Sequence, residues 1–129
     1  MNICSGIPIE NEIRLKKPII TIYADERGVL HENKADFSFG DSSYSEKTGY
    51  TMMCHGKIFQ IGFTTDAESS YKIHVTVNGH KRTAIAGNSK TTSKQVNIPV
   101  NKHDVISFSN EIQSRARSSI ICLLIELDL

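Results

Sequence analysis

Five histidines, at positions 31, 55, 74, 80 and 103, are the residues in this 129-residue chain best suited to acid–base or metal chemistry. None stands in an HExxH arrangement or another ligand spacing, so their types without their spacing point to surface or interface roles rather than to a metal site. His103 and Asp104 are adjacent, and neighbours in an extended chain face opposite ways, so they do not form a base and its orienting carboxylate. No Gly-x-Ser-x-Gly elbow or Walker-type glycine loop is present, and the residues give no sign of an enzyme or of a cofactor. Asp66 and Glu68 make an acidic pair of the kind that is usually solvated rather than calcium-bound. The cysteines Cys4, Cys54 and Cys122 match no zinc or CxxC spacing and read as free structural thiols.

Binding chemistry has better candidates. Basic residues gather at Lys81-Arg82, Lys90, Lys94, Arg115 and Arg117, with His80 beside them. On neighbouring loops they would form a rim attractive to sialylated or sulfated glycans or to phosphate. Aromatic residues that would stack bases are missing from those stretches, which argues against nucleic acid. Tyr44 and Tyr50 bracket the loop at Gly40–Gly49 and offer large contact area with a hydrogen-bonding tip, suited to sugars or to a protein partner. The candidate ligand-binding residues are therefore Tyr44, Tyr50, His80, Lys81 and Arg82.

Fifteen Lys and Arg balance fourteen Asp and Glu for a formal net charge of +1, so neither a nucleic-acid footprint nor charge-driven disorder is expected. Length fits a single domain. The first residues show no basic and apolar leader pattern, no run suggests membrane insertion, and no Asn-x-Ser/Thr sequon occurs. Work outside a cell would thus not require passage through a glycosylating route.

The elements that must position these residues are strands. Short apolar or alternating runs recur between Gly, Asn, Asp and Ser clusters, at the spacing of a β-sandwich. Strands are predicted over 19–24, 29–32, 35–39, 50–54, 57–65, 71–78, 82–86, 95–100, 105–109 and 118–128. Asn78-Gly79 predicts a type I′ hairpin turn, whose central residues both need positive φ. In 71–78 Tyr71, Ile73, Val75 and Val77 share the core face. In 57–65 Phe59, Ile61 and Phe63 are expected to share one face. No helical stripe is long enough for a core helix, and 111–117 reads as a polar loop. The fold is expected to be all-β, an antiparallel sandwich of about eight to ten strands.

The closing run departs from simple alternation. Ile121, Leu123, Ile125 and Leu127 lie on one face, yet Ile120, Cys122 and Leu124 make the other face apolar too. A two-layer sandwich covers one face of each strand, so the second needs a further cover. Burying such side chains is worth about 1.5–3 kcal/mol each, and a partner subunit on Ile120, Cys122 and Leu124 is the expected cover, the alternative being a central strand screened by the chain's own loops.

Gly49-Tyr-Thr-Met-Met-Cys54, Gly56-Lys-Ile-Phe-Gln-Ile-Gly62, Tyr71–Gly79, Gln95–Val100, Asp104–Phe108 and the apolar closing strand together resemble a known superfamily. It is the trimeric jelly-roll head of the tumour-necrosis-factor and complement globular-head type, and most of all the heads of viral and phage fibres. Tyr23–Leu30 and Asp36–Gly40 resemble the opening of such heads. The resemblance spans Pro18 to Leu129, leaving residues 1–17 as a strap or shaft remnant, without a collagen-like or heptad repeat. It implies a jelly-roll homotrimer with the last strand near the three-fold axis. It also implies a receptor-binding role on a virion surface, with a host glycan or protein as partner. A purely structural trimerisation or capsid domain and a tumour-necrosis-factor-like signalling ligand are the alternative expectations.

Overall fold

The computed structural model describes residues 17–26, 30, 37–39, 49–114 and 116–129. The predicted strand at 29–32 (apart from Leu30), Tyr44, His31, Cys4, Arg115 and nearly all of the expected N-terminal strap lie outside them. Nine strands are described: β1 (Ile19–Glu26), β2 (Ser38–Phe39), β3 (Tyr50–Thr51), β4 (His55–Thr65), β5 (Tyr71–Val77), β6 (His80–Gly87), β7 (Thr91–Val100), β8 (Val105–Asn110) and β9 (Ser119–Asp128).

Alternation dictates the layers. Tyr71, Ile73, Val75 and Val77 of β5 are buried, while Lys72 and His74 between them are only partly covered. Side chains of this kind from both sheets meet in one core, centred on Ile58, Ile61, Phe63, Ile73, Val75, Ile106, Phe108, Ile121, Leu123 and Ile125. Phe37 enters it edge-on to Phe63 and Phe108, with centroids 6.4 and 6.1 Å away.

One sheet runs β2-β1-β9-β4-β7 and the other β3-β8-β5-β6. The antiparallel pairs nest: β1 with β9, β3 with β8, β4 with β7, and β5 with β6. The chain therefore behaves as one long hairpin rolled over on itself, which is the jelly roll. β2 adds a short edge beside β1. The fold expectation holds, in topology as well as class.

Asn78 and Gly79 both have positive φ, 53° and 83°, as a type I′ turn requires. Space is not the constraint at Gly79, where a Cβ would meet nothing within 4 Å. Several boundaries differ from the predicted ones: the strand expected at 50–54 is only Tyr50–Thr51, and β1 and β4 are each two residues longer. β6 begins at His80, so His80 and Lys81 open the strand that was expected to start at Arg82. β7 begins at Thr91, because ladder bonding to β4 reaches back through polar residues whose burial pattern gives no signal. In β4 the register slips between Ile58 and Gln60, so Ile58, Ile61 and Phe63 are the buried set and Phe59 is half-buried. A bulge of this kind breaks strict period-two reading.

Candidate binding surfaces

Strand β9 sits in the middle of the five-stranded sheet, flanked by β1 and β4. Ile121, Leu123 and Ile125 point into the core and are fully buried. Ile120, Cys122 and Leu124 point the other way, onto the sheet's outer face, where Ile120 is 44% exposed and the other two are half-buried. Register builds that face in rows. Gln95, Gln60, Leu124 and Thr21 form one row across four strands, and Ser93, Gly62, Cys122 and Tyr23 form the next. Neither row carries a charge. Tyr23 is 63% exposed, and Ile19 farther along β1 is 56% exposed. Charge returns only at the margins, with Asp25 opposite Ile120 and with Lys57 opposite Glu126. Depletion of charge around an apolar centre is the compositional mark of an interface core. Tyr23 was not among the residues singled out from sequence, although buried Ile22 and Ala24 on either side of it imply its outward aim.

A second surface lies at one end of the sandwich, where the β5–β6 turn, the 101–104 turn and the start of β4 converge. The Asn78 side chain links them, its Nδ2 donating to Asp104 Oδ1 (2.9 Å) while its Oδ1 accepts the Val105 N–H (2.9 Å). The backbone N–H of His103 donates to Met52 O at 2.8 Å, and that of Lys102 to His55 Nδ1 at 3.2 Å. Asp104 also accepts the Asn101 N–H (2.7 Å). That backbone donor, then the Asn78 amide, hold the Asp104 carboxyl below its ordinary pKa; nearby His55 and Arg82 act in the same direction. His80, Lys81 and Arg82 are exposed at this end, as are His55, Lys102 and His103. No described carboxylate pairs with Lys81, Arg82 or Lys102.

Among the described residues, the rest of the expected basic rim does not join Lys81 and Arg82. Lys90 lies beyond the far end of β6, and Lys94 is spent bridging to β6 through Thr83 Oγ1 (3.0 Å) and the Ala84 carbonyl (2.9 Å). Arg117 is held at the opposite end from Lys81, its N–H bonded to Asp66 Oδ1 (2.9 Å). Asp66 is thereby engaged in pinning a loop. Tyr50 is not a free ligand platform: it is half-buried in β3 against Phe39, with ring centroids 6.0 Å apart. Tyr44, its expected companion, is outside the described residues.

His74 Nε2–H donates to Glu111 Oε1 across 2.6 Å, and Lys72 Nζ lies 3.5 Å from the same oxygen. This cluster on the outer face of the four-stranded sheet ties β5 to the segment after β8. A shallow polar hollow of about 340 Å³ opens at the opposite end from Lys81, lined by Glu68, Ser69, Ser70, Asn88 and Ser89. Among the described residues no group of three His, Cys, Asp or Glu is placed to hold a metal, and no helix is long and apolar enough to cross a membrane. Cys54 and Cys122 are free thiols.

No family model and no curated protein matches this sequence. Among solved structures, a family 35 carbohydrate binding module from Clostridium thermocellum is similar over 84% of this chain and 97% of its own, with 12% identity and a TM-score of 0.48. So distant a likeness says nothing about ligand.

Proposed function

We propose that the chain is the subunit of a homotrimeric attachment head, a non-catalytic binding domain borne on a virion or phage fibre and contacting a host-cell glycan or protein. The observation that carries the reading is the outer face of the five-stranded sheet. Its centre, Cys122 and Leu124 with Tyr23 and Ile120 beside them, is apolar, and Tyr23 and Ile120 are exposed on it. A soluble subunit gains by covering such a patch, and closed cyclic symmetry lets identical copies cover one another. Three-fold order and a place on a virion come from the resemblance to fibre heads, which the nested jelly-roll pairing supports. The mechanism is adhesion: a rigid sandwich presents its end loops in several copies, and avidity multiplies weak contacts.

Light scattering on the full chain tests it. The expected mass is three times 14.4 kDa, falling to one subunit in Ile120→Lys/Leu124→Lys. A wild-type chain that stays monomeric at micromolar concentration removes the reading. A trimer that binds neither host cells nor glycans would be the structural trimerisation domain instead.

A further inference from the structure

The attachment reading leaves the ligand-facing surface unassigned, and the end of the sandwich carrying His55, His80, Lys81, Arg82, Lys102 and His103 has the chemistry to fill that role. We infer that this end is a docking surface for an anionic, sulfated or carboxylated glycan; the inference rests on the attachment reading for its biological setting, but on its own residues for its chemistry.

Three permanent cations, Lys81, Arg82 and Lys102, project from two neighbouring segments that the Asn78 hydrogen bonds hold together. Here the nearby carboxylate, Asp104, already accepts from the Asn101 N–H and the Asn78 amide. Its remaining influence is shared between Arg82 and His55, and none of the three cations has an ion-pair partner among the described residues. Of the other described cations, Lys17 pairs with Asp128 (3.6 Å), Lys72 with Glu111 (3.5 Å) and Lys94 bonds to β6, while Lys57, Lys90 and Arg117 stand apart from this end's loops. Three cations with no ion pair among the described residues thus share this end of a chain whose net charge is only +1.

His103 lies at the same end. It has φ of 77° at the third residue of a turn closed by Asp104 N–H to Asn101 O (3.0 Å). Glycine is the ordinary occupant of that position. The turn is fixed by the fold, through the His103 N–H to Met52 O (2.8 Å), and it leaves an exposed imidazole near the cations, able to donate a ring N–H to an anion.

A glycan polyanion fits better than nucleic acid. The exposed aromatic among the described residues is Tyr23, on the sheet face and not at this end, so no platform for stacked bases is present.

Heparin binding by the full chain tests the inference. Binding is expected at about 0.1 M salt and to be lost towards about 1 M, over which the screening length falls from about 10 Å to about 3 Å. Lys81→Glu/Arg82→Glu, and separately Lys102→Glu, are expected to weaken it by about tenfold or more through like-charge repulsion. Lys90→Glu, the same charge change at the far end, is expected to cost about twofold at most. Equal losses at both ends, no heparin binding at low salt, or tighter binding to single-stranded DNA or phosphatidylserine vesicles would overturn it. Solution mass on the same samples separates the two readings. A trimer indifferent to heparin sinks this inference alone, whereas a monomer that binds heparin through Lys81 and Arg82 sinks the trimer alone.

Discussion

Glu111 shows how one side chain couples strands that the sequence leaves unrelated. The His74 hydrogen bond, aided by Lys72, holds its carboxyl below the ordinary carboxylate range against a smaller opposing effect of burial. A carboxyl whose folded pKa lies below its unfolded value contributes stability above the unfolded pKa, about 4.3 for a free Glu, and loses it as pH falls through the folded value. Glu111→Gln is therefore expected to flatten the acid limb of a denaturation profile below about pH 4.5, leaving the neutral-to-alkaline limb parallel to wild type. An unchanged acid limb in urea melts between pH 3 and 5 would show the carboxylate to be idle. The contact was not legible in sequence: His74 was read as a polar-face residue, but Glu111 stands thirty-seven positions away in a segment with no periodicity. His103 was equally silent, since only the backbone reveals its positive φ.

At the scale of elements, the pattern of β5 and the Asn78-Gly79 turn could be read directly, because period-two burial and a positive-φ dipeptide are local signals. The opening of β7 and the slip in β4 could not, because both are fixed by ladder bonding to strands far along the chain. Strand β9 was legible as a strand with two apolar faces, and the two faces should answer differently to mutation. Leu123 is fully buried, so Leu123→Ala should cost about 2–5 kcal/mol of folding stability, read from the urea midpoint. Leu124, half-buried on the outer face, should cost no more than about 1 kcal/mol when truncated, yet lower the concentration-dependent solution mass. The reverse ranking would mean that the inner and outer faces have been exchanged. The basic rim failed as a sequence inference for a topological reason. Lys81 and Lys90 are near in sequence, but β6 carries them to opposite ends, while His55 and Lys102, distant in sequence, are brought beside Lys81.

For the whole molecule the two surfaces make separable demands. The charge-poor rows on β1, β9, β4 and β7 lie on a sheet face, and the unengaged cations lie at an end, so assembly through the first leaves the second free to meet a ligand. Symmetric assembly then repeats the cationic end on every subunit. Linking sites in this way raises avidity by about 10²–10⁴ over one site when the geometry allows simultaneous engagement. Ile120→Lys/Leu124→Lys should therefore lose a factor in that range for a heparin-coated surface while keeping the affinity of wild type for a short heparin oligosaccharide in solution. Lys81→Glu/Arg82→Glu should lose both, with the solution mass unchanged. Should the face variant lose the short-oligosaccharide affinity as well, the ligand site would lie across the subunit boundary rather than within one chain's end.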